Sequence, residues 1–369
     1  LSFCWQAFNR ILGIRPSKGF NVHQLLYSTK SKHMKKISYF IGVDISKSTL
    51  DVAIIDQNQP NAVLHSVFSN TKTGINSLLS WVRKNTCKDK EEVVFCMEHT
   101  GVYGLPLCST LSEKNLLYSL VSALEIQRSI GIQRGKSDKA DSKAIAKYIY
   151  LRRDNIKVTR MPDKELLKLR YILSQRDRVI KAKVMFENSK EVERFCDTAA
   201  SKVLEKENKA IILFLKKRIT HFDTLIEKII IENPVMENQY KLITSIPGIG
   251  LQISANIIAY TQAFTLFDCP RKFACYSGVA PFPYQSGTSI KGRSRVSHLA
   301  NKKMKSILSL GALLAIRNDT EMRLYYQRKV NEGKNKMLVL NAVRNKLLQR
   351  IFAVVKRETP YVKLALHIA

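Results

Sequence analysis

The chain has 369 residues, with 61 Lys and Arg against 30 Asp and Glu, a net charge of +31. An excess of that size points to a polyanionic partner, nucleic acid first and an anionic membrane surface second. No apolar run approaches the roughly 18 residues that span a bilayer, which argues against a membrane protein, and no basic amphipathic helix with exposed aromatics reads as a surface anchor.

A hydrophobic content of 45% permits ordinary cores, and the length suits roughly two or three domains. The seven cysteines form no CxxC pair and no His/Cys zinc spacing, which suggests a reducing, cytoplasmic setting. Residues 1–33 lack a clean apolar core followed by a small-residue cleavage site, so they read poorly as a signal peptide. They are left unassigned, with Met34 expected as the native start and the fold beginning there.

From Lys36 to Asp56 the chain reads KISYFIGVDISKSTLDVAIID. Two β-branched runs around the polar turn Ser46-Lys47-Ser48-Thr49 predict a hairpin. Asp44 falls at the end of its first, central strand. A carboxylate there either caps the turn through its own backbone or meets a cation, because a bare buried acid is costly. A third strand is expected over 62–69 and a helix over 74–84. Then comes EVVFCM, a compact strand that delivers Glu98 at its C-terminal end, the edge where α/β sheets bind ligands. Helix 102–113 and strand 116–121 follow. Three strands in a row, then helix alternating with strand, is the order of an RNase H-like domain.

In GKSDKADSKAIAKYI, Asp138 and Asp141 lie three apart at the start of a predicted helix, so they share a face. Alone they could simply be acids favoured by the helix dipole. Together with Asp44 and Glu98 they place four carboxylates at one sheet edge. Such a set repels itself unless metal neutralises it. Two Mg²⁺ ions roughly 4 Å apart would do so and would clamp the attacking and leaving oxygens of a phosphodiester.

The segments GVDISKSTLDVAI, MEHTG and KSDKADSKAIA, in this order, resemble the N-terminal domain of the DEDD transposases of insertion sequences. The resemblance implies a fold related to Holliday-junction resolvases (RuvC-like), with Asp44, Glu98, Asp138 and Asp141 as the metal-binding tetrad. It also implies a bacterial, nucleoid-associated protein that acts on donor and target DNA under the guidance of a bridge RNA.

Residues 156–235 are charged and lack strand signals. Ile212, Leu215, Ile219, Phe222, Ile226 and Ile229 step alternately by three and four, an a/d seam of under three heptads. Either a coiled coil or a helix packed on its own domain fits. In the family this region is a helical linker that supports dimerisation.

From 236 onward a mostly helical domain is expected. LITSIPGIGLQISANIIAY reads as a helix-hairpin-helix, in which Gly248 and Gly250 would let backbone N–H groups approach a phosphate. A plain helical turn would need the same glycines. Lys291, Arg293 and Arg295 then lie in a Gly- and Ser-rich loop, which is either a flexible phosphate clamp or a solvated basic loop. Six hydroxyls surround them, and no neighbouring His or Asp selects a nucleophile among them.

GVAPFPYQSGTSIKGRSRVSHLANKKMKSIL resembles the second domain of the same transposases, whose catalytic serine lies in a Ser-Gly step. That implies Ser286, with Ser289 as runner-up, although many relatives have Ser-Ser-Gly where this chain has Gln285-Ser286-Gly287. Further helices are expected over 301–316 and 334–355. The resemblance implies a transposase that forms a covalent serine–DNA intermediate with Mg²⁺, in a dimer or tetramer whose composite site draws on different subunits. A resolvase-like nuclease that uses only metal and water is the alternative. A non-enzymatic nucleic-acid-binding protein with structural acids is the other.

Overall fold

The computed structural model describes residues 37–86, 90–99, 101–131, 137–189 and 198–363. The reading of residues 1–33 lies outside them. Internal contacts divide the chain into two units, Leu1–Met161 and Pro162–Ala369.

In the first unit, β1 (Tyr39–Ile45), β2 (Thr49–Asp56) and β3 (Gln59–Ser69) form an antiparallel meander. Helix α1 (Lys72–Asn85) follows, capped by the Thr71 hydroxyl, which accepts from Gly74 N–H at 3.2 Å. Next come β4 (Val93–Glu98), a 3-10 turn at Gly101–Gly104, α2 (Leu105–Glu113) and β5 (Leu117–Val121). Helices α3 (Ala123–Ile130) and α4 (Asp138–Leu151) complete the unit.

The sheet order is β3-β2-β1-β4-β5, with β4 parallel to both β1 and β5. This mixed five-stranded order is the RNase H-like arrangement, and β1 sits at its centre. Side chains alternate across β1. Ile41, Val43 and Ile45 pack with Ile75, Leu78 and Leu111 on one face, while Phe40 packs with Ile145, Ala146 and Ile149 on the other.

Gly42 fixes how near α4 can come. A Cβ at Gly42 would fall 2.2 Å from Ala146 N and 2.3 Å from Ser142 O, so the helix backbone rests directly on the strand. Ser142 and Ala146 are fully buried at that contact. Three small residues thereby hold the start of α4 beside the end of β1.

In the second unit, α5 (Lys164–Asn188) packs along α6 (Thr198–Ile231). Ile212, Ile226 and Ile229 of the seam are buried, and Leu215, Ile219 and Phe222 are half-buried. The seam therefore has an intrachain partner. Leu166, Leu169 and Leu173 share one core with Ile226, Ile229 and the helices that follow. Those are α7 (Pro234–Thr244), α8 (Leu251–Thr261) and α9 (Pro270–Tyr276). After them come the ribbon β6 (Pro281–Ser286) and β7 (Ile290–Val296), then α10 (Lys302–Asn318), α11 (Thr320–Asn331) and α12 (Lys336–Arg357).

The expectation that Lys291, Arg293 and Arg295 lie in a Gly- and Ser-rich loop is corrected: they stand on β7 of an antiparallel hairpin. The helix expected over 301–316 is α10, and Leu310, Leu313 and Leu314 are exposed on it. At the root of the ribbon, Asn341 donates to the Val279 carbonyl at 2.7 Å and accepts from Arg344 at 3.2 Å. Arg344 is buried, and its Nε has no partner among the described residues.

Candidate active site

Asp44 is the next-to-last residue of β1, on the face of the strand that α4 covers, and is half-buried. Its carboxyl is pushed up to about 6, first by burial and then by the charges of Asp141, Asp138 and Glu98; the Ile45 backbone N–H opposes the rise. The four acids singled out in the sequence therefore feel one another. Glu98 closes β4, which runs parallel to β1 with Val43 opposite Met97.

Asp138 and Asp141 lie in the first turn of α4, where the Ser137 hydroxyl accepts from Ala140 N–H at 3.2 Å. The helix dipole and the shared edge both apply to them. Among the described residues no three His, Cys, Asp or Glu side chains stand at metal-ligand spacing. The acids converge electrostatically without closing into a cage. All their donors are carboxylate oxygens, the set that hard divalent cations such as Mg²⁺ take.

Two residues of this edge escaped the sequence reading. Asp51 pairs across β2 with Asp44, so their side chains leave the same face of the sheet. It is only 8% exposed and lies 3.0 Å from His65 Nε2. The signal was present, since Asp51 is a single acid inside the apolar run Leu50–Ile55, as Asp44 is in its own strand.

In the second unit, Ser286 is the last residue of β6, paired with Ile290 of β7 and exposed. Gly287 follows at φ +55°, a left-handed turn position that suits glycine. No described side chain hydrogen-bonds to Ser286, so no base is preset beside it. Ser289 lies exposed in the same turn. Lys291, Arg293 and Arg295 are all exposed along β7.

The two glycines of the 247–250 turn divide. Gly248 adopts φ +88°, and a Cβ there would lie 2.5 Å from Ala315 N, so its bareness serves packing against α10. Gly250 caps α8 with open space where a side chain would go.

Two family models match the chain. One described as "Transposase" covers residues 41–190, a range that holds all four acids. One described as "Transposase IS116/IS110/IS902 family" covers 240–327, which holds Ser286 and the cations of β7. A pilin gene-inverting protein of Moraxella bovis is 26% identical over 328 residues, spanning 88% of this chain and 98% of the relative. An insertion element IS110 protein of Streptomyces coelicolor is 29% identical over 120 residues, or 32% of this chain and 29% of that one. Among solved structures, T. thermophilus RuvC in complex with a Holliday junction substrate aligns with a TM-score of 0.26 and 11% identity. It covers 33% of this chain and 99% of that one.

Proposed function

The chain belongs to the IS116/IS110/IS902 family of transposases, and from that premise we propose that it recombines DNA through a covalent link between Ser286 and a DNA phosphate. The family makes it an enzyme of the transposase and DNA recombinase class. The observation that supports the reading is that the charges of Asp141, Asp138 and Glu98 all act on Asp44 in a protein of net charge +31.

In this reading the four acids hold Mg²⁺. The bound ion supplies charge neutralisation at the reacting phosphate. The Ser286 oxygen bonds to phosphorus, the bond from phosphorus to one deoxyribose oxygen breaks, and that oxygen leaves as a hydroxyl carrying the proton that serine gives up. The number of phosphodiester bonds is unchanged, so a second strand's hydroxyl can reverse the step and complete the exchange. Hydrolysis by water would forfeit that bond.

Lys291, Arg293 and Arg295, with the open N-terminus of α8 at Gly250, are assigned to phosphates. Contacts to phosphate position DNA without choosing sequence, so selection of donor and target is assigned to a bridge RNA. Leu213 and Phe214 of α6 are 56% and 61% exposed, which favours further burial in a dimer or tetramer.

The test is to incubate the full chain with Mg²⁺, flanking RNA and labelled donor and target DNA, then denature. DNA that stays attached to the parent is expected. Ser286→Ala and Asp141→Ala should each reduce the adduct at least about a thousandfold, while Ser289→Ala keeps it. Free nicked DNA, made equally well by Ser286→Ala, would move the chain to the metal-only nucleases.

A further inference from the structure

The ribbon that carries Ser286 has an unusual surface. Neither β6 nor β7 packs substantially on another described element, and two strands alone are marginal in water. Even so, the ribbon displays large side chains. Tyr284 is 68% exposed and Phe282 is 45% exposed. Tyr284 pairs with Gly292, and a Cβ at Gly292 would sit 2.7 Å from Tyr284 Cδ1. The ring is thus bedded on bare glycine backbone, with its remaining surface open.

Beside it is a groove of about 550 Å³ lined by Phe282, Pro283, Arg293, Arg295 and Ser297. The segment 281–297 contains Lys291, Arg293 and Arg295 and no acid. Tyr284 and Ser286 are two residues apart on one strand, so they share a face about 7 Å apart. An aromatic covering a strand glycine can serve the sheet alone, but that role does not require the ring's other side to stay uncovered amid cations. Aromatic faces flanked by arginines are the chemistry by which proteins hold unstacked bases.

We propose that the β6–β7 ribbon is a stacking shelf for one unpaired DNA base: Tyr284, bedded on Gly292, takes the base, and Arg293 and Arg295 take the phosphates beside it, next to the phosphate offered to Ser286. The assignment rests on the reading of Ser286 as nucleophile for its position, although the shelf binds whether or not the serine reacts. The ribbon is then completed by its substrate, which supplies the apolar cover it lacks.

Binding is measured without Mg²⁺, on the full chain carrying Ser286→Ala, with a DNA duplex holding one unpaired 2-aminopurine. Quenching of that base is expected with Tyr284 and with Tyr284→Phe. Tyr284→Leu and Gly292→Ala should each lose the quenching and weaken binding roughly ten- to a hundredfold. Melting temperatures should match the parent in both, because no core leans on the ribbon.

With an abasic nucleotide in place of 2-aminopurine, the parent should weaken by a similar factor and Tyr284→Leu should add nothing. Unchanged quenching in Tyr284→Leu, or a Tyr284→Leu penalty that persists on the abasic duplex, overturns the shelf. Tighter binding to an RNA strand of the same sequence overturns the assignment to DNA. A parent that quenches the base but forms no adduct in the covalent assay would reject the serine mechanism alone.

Discussion

The edge that holds Asp44 and the ribbon that holds Ser286 are built on opposite principles. Asp44 lies next to the end of a strand buried on both faces, with α4 laid on it at Gly42 so closely that no side chain fits between them. Ser286 ends a strand exposed along its whole length, joined to the rest of its unit through the Val279–Asn341 hydrogen bond at its root. Under the proposed mechanism the acids would share a cation and need fixed separation, which close-packed backbone provides. Under the same proposal Ser286 would follow a DNA strand through cleavage and exchange, and would gain from a mount that can adjust.

The contrast breaks most sharply at Gly42. Gly42→Ala should push α4 off β1, costing about 3 kcal/mol or more in the first unit, and should abolish the covalent adduct by separating Asp138 and Asp141 from Asp44. Thermal melting and the adduct assay read the two losses. A variant that melts like the parent would show that the helix does not need the contact.

Asp44→Asn separates stability from activity. With the carboxyl raised from 3.8 to about 6, the folded state binds the proton more tightly than the unfolded state. The acid therefore costs nothing below the lower value, and stability falls as pH rises through about 6. At pH 7 without divalent ions, Asp44→Asn should be more stable than the parent by about 1 kcal/mol, after discounting for the half-exposed site, and at pH 3.5 the two should melt together. Added Mg²⁺ should stabilise the parent more than the variant. Equal melting curves at pH 7 would show that the clustered acids impose no strain.

The smallest effect is expected at the ribbon's cations. Arg293→Ala should leave melting unchanged and reduce the salt dependence of DNA binding by about one phosphate contact. An unchanged slope in log–log titrations would place Arg293 away from the backbone.

The first unit was largely legible because burial writes itself into composition. Tyr39–Ile45 and Val93–Glu98 are apolar runs that carry an acid at or next to their C-terminal end, and a strand covered on both faces has little other choice. A helix bound was readable where a cap stood, as at Asn301, whose side chain accepts from Met304.

What could not be read is what burial does not govern. The residues of β6 and β7 are exposed, so no apolar alternation marks them, and their Gly and Ser content resembles a loop. Helices α3 and α11 are short and bury little of their length. The contact at Gly42 was invisible for another reason: a single glycine in a strand shows that something comes close without showing what. Gly248 is the same case, where a turn that suggested a phosphate is shaped by Ala315 of the neighbouring helix.

The bare strand position under α4 also bears on how such a chain can change over time. No side chain can be added at position 42 without moving the helix, so drift there is closed. Along the ribbon few substitutions disturb any core, so drift there is nearly open. Lineages derived from this fold would then diverge first in how they grip nucleic acid, while the spacing of their acids stays inherited.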